Sequence, residues 1–346
     1  MKFFRLLLIS TLLTACAATQ PPRSHSNAQL DELLNSHSET QTLNLQQAQL
    51  PAIDWSGRTL HNIDLAQANL SKANLSNARL QQVNLHGANL SNANLNGAVF
   101  ENVDLSAANL SQAQLTQASF INCKLKHSNF SHAQLSQSIF KDNVGNNAAF
   151  QEANLQHAEL DNNRFEHSLW QYADLSDTQI RNTDMRYAQM QSALLDRASL
   201  TRTDLFNAML SYAKLNNASI VDSNLRAADM SMCKANDSRF DGSIMIGVKM
   251  SSCKLARTSF VASDAREVAF VDVDLSQVNF RNARLEQANF AWSDLSGAQF
   301  QDANLHKADF SRSTVRQADF SNANLRWTTL PMADLSNSIF SNANLE

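Results

Sequence analysis

From Leu45 to Leu345 every fifth residue is large and apolar in one unbroken frame. Only Gly145, Ala235 and Ala265 depart from Leu, Phe, Ile, Met, Val or Trp at these slots. Two residues before each slot the side chain is small from Ala68 to Ala343, with Asn143 and Asn163 as exceptions. The unit reads A-(D/N)-L-x-x, as in Ala73-Asn74-Leu75-Ser76-Asn77. A helix cannot carry this pattern, because five steps of about 100° move the apolar face on by about 140° each time. A flat strand cannot either, since its side chains alternate with period two. What fits is a chain that turns a corner every five residues, with the slot and the residue two before it both pointing inward.

Phenylalanine gives the number of corners. Phe240, Phe260, Phe280, Phe300, Phe320 and Phe340 recur every twenty residues, and Phe270, Phe290 and Phe310 lie midway between them. The slots at 75, 95, 115 and onward never hold Phe. Four faces per coil explain this, with aromatic columns stacked at the strand spacing of about 4.8 Å. Twenty residues per coil predicts about 15 coils. Asn143 and Gly145 break two consecutive inner positions without breaking frame, and are read here as a local bend or a weak coil.

The repeat resembles the pentapeptide repeat family, over Leu45 to Leu345. The resemblance implies an all-β fold, a right-handed parallel quadrilateral β-helix, with the central Leu or Phe and the small residue inside. Solenoid ends need protection. Ser26 and Gln29 have capping-box spacing, and Leu30, Leu33 and Leu34 share one helical face, so residues 28–44 are expected to form a short capping helix and lead-in. The last coil, with Leu330, Leu335, Phe340 and Leu345, is expected to be bare and to pair with a second copy, as a homodimer, or with a partner.

The N-terminus carries an address. Lys2 and Arg5 precede an apolar segment from Leu6 to Leu13, the layout of a secretory signal peptide over residues 1–15. Leu13-Thr14-Ala15-Cys16 resembles a bacterial lipoprotein processing box. That resemblance implies that Cys16 becomes the acylated first residue and anchors the chain to a membrane, several acyl chains being needed for stable attachment. An ordinary cleaved signal with an incidental Cys is the alternative. Ala17 follows rather than Asp, which favours the outer membrane. Residues 16–27, with Pro21 and Pro22, read as a lipidated start and flexible tether, and the β-helix occupies 45–346.

Composition and motifs point away from chemistry. The net charge is −4 and there are only 7 Gly and 4 Pro in 346 residues, which excludes an ordinary loop-rich domain. The histidines have no metal spacing, no nucleophile or phosphate-loop motif is present, and the repeat leaves no insertion to build a cleft. No catalytic residue, metal or cofactor is expected. Cys123, Cys233 and Cys253 all fall at the small inward position, where buried filler is the plain reading. Cys233 and Cys253, one coil apart, are also within reach of a disulfide. Outside, Asn62, Gln82, Asn102 and Asn122 form an amide column, and Lys214, Lys234 and Lys254 stack as a basic stripe, read either as three solvated lysines splayed apart or as a row compensated by a ligand or nearby acids. Leu169, Tyr172, Phe206, Met209, Tyr212 and Met232 point outward near one face and suggest a partner-binding surface, with irregular packing as the alternative.

The functional expectation is therefore a membrane-anchored, non-enzymatic envelope scaffold or adaptor that meets another protein or wall polymer, with no nucleic acid partner. Two alternatives are disfavoured. Some pentapeptide proteins mimic duplex DNA and protect gyrase, but the export signal and mixed charge argue against that here. An envelope enzyme or metal-binding protein lacks the residues.

Overall fold

The computed structural model describes residues 27–37 and 41–346, so Cys16, the signal segment and most of the tether lie outside the described residues. The chain is an all-β parallel solenoid that divides into two compact units, Met1–Glu159 and Leu160–Glu346. Each unit is built from the same five-residue step, and its physical basis is a turn. The slot carbonyl accepts the N–H three residues on, as in Ala68 to Leu65 at 3.0 Å and Ala73 to Leu70 at 3.0 Å. The residue two beyond the slot is left-handed, with φ of 57° at Gln67 and 59° at Lys72. This is a type II turn, which requires positive φ at its third residue. The next slot then starts a new face.

In the first unit, helix α1 (Asn27–Ser36) precedes the coils. Its Leu30 and Leu33 are buried whereas Leu34 is only half-buried, so two of the three expected leucines are covered. The first slots Leu45, Leu50 and Trp55 are buried as well. Leu43–Asn44 pairs in parallel with Ile63–Asp64. Three-residue strands at Thr59–His61, Arg79–Gln81, Val99–Glu101, Ser119–Ile121 and Ile139–Lys141 then stack in register, which aligns Leu60, Leu80, Phe100, Phe120 and Phe140. Phe100, Phe120 and Phe140 stack at 4.7 Å, and Phe130 on Phe150 at 4.9 Å. The other faces are joined by one bridging residue per coil, as in Asn69, Asn89, Asn109 and Asn129.

The second unit repeats this with strands Gln179–Arg181, Ser199–Thr201 and Ser219–Val221. Its two Phe columns are stacked along their length, with Phe260 to Phe280 at 4.9 Å and Phe290 to Phe310 at 4.9 Å, and the columns meet edge to face, as Phe270 meets Phe280 at 5.6 Å. Counting Glu159–Asp161, nine levels carry a three-residue strand, so about nine turns are regular β structure where about 15 coils are expected.

The reason lies at one corner. From Phe240 onward the corner is closed by the ordinary turn bond, Ser243 N–H to Phe240 at 3.2 Å and Ser263 N–H to Phe260 at 3.1 Å, and only a single bridging residue remains. At earlier levels this turn bond is not made, and at several of them the corresponding N–H goes to a side chain of the next coil. Cys123 N–H donates to Asn143 Oδ1 at 2.8 Å and Thr203 N–H to Ser223 Oγ at 3.1 Å. Asn143 also donates from Nδ2 to the Phe120 carbonyl at 2.9 Å. Asn143 is thus not a weak point: a buried N–H needs an acceptor there, and the inward side chain supplies it.

Candidate interaction surface

The consensus Asp or Asn before each slot has a local task. Its Oδ1 accepts the N–H two residues on, as Asp64 does from Ala66 at 3.0 Å and Asn89 from Ser91 at 3.1 Å, an Asx turn that shapes the corner. The Asn amides also link coils, Asn94 to Asn74 at 3.2 Å. In the column singled out from sequence, Asn122 donates to Asn102 at 2.5 Å. These acids and amides are occupied by the fold. Among the described residues no group of His, Cys, Asp and Glu is arranged to hold a metal ion, and no helix is long and apolar enough to cross a membrane.

The thiols are equally quiet. Cys123 is buried, and burial pushes its thiol up to about 12; its S–H faces the Phe100 carbonyl at 3.4 Å. Cys233 and Cys253 are disulfide-bonded across adjacent coils, with Cα atoms 4.6 Å apart.

The apolar surface lies in the second unit, on one face and its two corners. Leu169 and Met209 belong to the bridging column at the face centre, which runs Leu169, Gln189, Met209, Asp229. Tyr172, Tyr212 and Met232 occupy one corner, 65%, 58% and 49% exposed, and Met209 is 47% exposed. Phe206 flanks the opposite corner, where its ring meets Tyr187 edge-on at 5.5 Å, and Tyr187 stacks on His167 at 4.7 Å. Gln191 Nε2 reaches Met209 Sδ at 3.0 Å and ties the centre to the Tyr172 corner. Tyr187 and His167 were not among the residues singled out from sequence. The signal that finds them is position: Tyr172, Tyr187, Tyr212, Met232, Trp292, Trp327 and Met332 all stand two residues beyond a slot, with φ between 58° and 65°. Two of these rings carry cations. Arg312 lies 4.5 Å from the Trp292 ring centre and Lys307 lies 5.0 Å from that of Trp327.

The last level is open. Leu330, Leu335 and Phe340 are only half-buried and Leu345 is 59% exposed, in contrast to the slots of the levels before it.

On the coils around this surface, several arginines are neutralised within the chain. Arg197 pairs with Asp177 at 2.6 Å, Arg239 with Asp241 at 3.0 Å and Arg257 with Asp237 at 2.6 Å. Lys214, Lys234 and Lys254 bridge one another in register, are exposed, and make no ion pair or side-chain hydrogen bond among the described residues.

Four faces, left-handed corners and a core of stacked slots define a parallel β-solenoid. The chain belongs to the pentapeptide repeat family: the family profile for a pentapeptide repeat region matches residues 53–120, 113–190 and 236–315, and that for pentapeptide repeats matches 187–220 and 318–346. No curated protein sequence matches the chain. Among solved structures it is similar to HetL, a pentapeptide repeat protein involved in heterocyst differentiation regulation from Nostoc sp. strain PCC 7120, at 20% identity over 77% of this chain and 88% of that one, with a TM-score of 0.23. It is also similar to full-length QnrB1, a plasmid-mediated fluoroquinolone resistance protein, at 14% identity over 71% and 93% of the two chains, with a TM-score of 0.30. A pentapeptide repeat protein of the Arabidopsis thaliana thylakoid lumen matches at 24% identity over 33% and 66%, with a TM-score of 0.17. Likeness at this level says nothing of what the present chain binds.

Proposed function

We propose that this protein is a non-enzymatic adaptor tethered to the bacterial envelope through acylated Cys16, and that it captures a protein partner on the face bordered by Tyr172, Tyr187, Tyr212 and Met232. One observation carries the partner surface. Large apolar side chains at these corners are both exposed and left-handed, and each condition is unfavourable for folding. Residues that cost stability without filling the core are explained by what they meet outside. The anchor rests on the Leu13-Thr14-Ala15-Cys16 box. The open last level supports self-pairing as a second contact, and light scattering at high micromolar concentration checks it: a dimer is expected, and a strict monomer refutes it.

The experiment joins a photo-reactive side chain at Tyr212 in intact cells with the double change Met209→Ser and Tyr212→Ser in purified protein. The expected result is one crosslinked envelope protein that the purified parent binds and the double variant does not, with the melting curve unchanged. Equal binding by parent and variant overturns the surface. Separately, Cys16→Ser should move the protein out of the membrane fraction and abolish palmitate labelling; retention of either overturns the anchor.

A further inference from the structure

We infer a second binding site, on the face adjoining the Tyr212 corner: Lys214, Lys234 and Lys254 form a strip for a linear carboxylated polysaccharide running along the stack of coils. The strip does not depend on the protein-partner reading, because its lysines lie on the next face. Three observations carry it.

The first is unpaired charge. The three ammonium groups sit on successive coils, and the Cα atoms of the adjoining Cys233 and Cys253 put those coils 4.6 Å apart. Like charges stacked on adjacent coils repel. Arg197, Arg239 and Arg257 nearby each have a carboxylate partner, whereas these lysines have none among the described residues. The one acid of the column, Asp274, lies beyond Lys254 at its end, so an anion that meets all three lysines comes from outside.

The second is shape. The column reads Leu194, Lys214, Lys234, Lys254, Asp274, so the positive run is bounded at both ends and spans three coils. A small anion would meet two lysines of a flat row, while an extended chain lying along it meets all three. One coil rise is close to the advance of a single pyranose in an extended chain, so each carboxylate that faces the strip lies beside an ammonium.

The third is the chemistry of the border. Tyr212 and Met232 flank Lys214 and Lys234 and offer an apolar wall to the C–H face of a sugar ring. A single-stranded nucleic acid would need an aromatic at successive levels to stack its bases, but the corner runs Ser192, Tyr212, Met232, Ser252.

The test measures binding of the lipid-free chain beginning at Ala17 to immobilised polygalacturonate, with dextran and poly(dT) as alternative ligands. The expected result is salt-sensitive binding to polygalacturonate that exceeds binding to dextran and poly(dT). It should weaken about tenfold or more in the triple variant Lys214→Ser, Lys234→Ser, Lys254→Ser and be kept when all three are Arg. These side chains are exposed, so both variants should melt as the parent does, and capture of the protein partner by the Met209 face should be unaffected. Binding no stronger than to dextran, preference for poly(dT), or an unchanged triple variant each overturns the strip.

Discussion

Each corner residue of the solenoid is held at positive φ, yet only six corners carry glycine. For other residues the left-handed region costs about 1–2 kcal/mol, least for Asn and Asp. Ala107, at φ 57°, has neither glycine's freedom nor an amide to compensate. Ala107→Gly should therefore raise stability by about 0.5–1 kcal/mol, the relief exceeding the added freedom of the unfolded chain, as read by urea denaturation. Gly97 gives the reverse case: a Cβ there would sit 2.5 Å from Asn77 Oδ1, and φ is 66°. Gly97→Ala should destabilise by about 1–3 kcal/mol in the same assay. The inward slots were legible in the sequence at this scale because a buried position tolerates few residue types. Asn143 was not: a polar side chain inside reads as a break until the N–H of Cys123 that it accepts is seen. Asn143→Ala should accordingly cost about 1–3 kcal/mol, and Asn143→Ser should recover part of it, since Ser223 and Ser243 accept the same kind of N–H.

Among elements, the aromatic columns were readable in advance, since a twenty-residue recurrence of Phe has no other physical source than stacking between coils. Phe280 is one of their most embedded members, touching Phe260, Phe270, Phe290 and Phe300. Phe280→Ala should lose about 3–5 kcal/mol and lower the melting temperature of the second unit, as followed by near-ultraviolet circular dichroism. The division between three-residue strands and single bridges was not readable. It follows whether one corner N–H is taken by the slot carbonyl, and both arrangements keep the same five-residue frame. The binding face was half legible for a related reason. Outward apolar residues were visible, but which of them share a corner follows from the turn geometry, so Tyr187 and its stack on His167 emerged only with the structure.

Over the molecule as a whole, the acids set the response to pH. Hydrogen bonds from Ser336 and Arg316 hold Asp334 down to about 2. The Arg257 guanidinium lowers Asp237. For Asp264 burial pushes upward, but the Arg266 and Arg284 guanidinium groups prevail and its carboxyl is lowered. A carboxyl lowered by folding stabilises the native state above its unfolded pKa of about 3.9, and that contribution disappears as pH falls through the folded value. Thermal stability should be level from neutral pH to about 4 and then decline towards pH 2, as seen in melts across that range. A stability unchanged down to pH 2 would show that these pairs contribute nothing.

The twenty-residue register has a consequence for how such a chain can change. Duplicating twenty residues within the second unit lengthens it and returns every later side chain to its former side. Inserting a single five-residue block keeps the core intact but rotates all that follows by a quarter turn. A block added just after Ala227 would carry Lys234 and Lys254 to a different side from Lys214 and split the cationic row without disturbing one buried residue. Lineages of this protein are thus free to drift in length by whole circuits, while quarter-circuit slips rewrite what the surface displays.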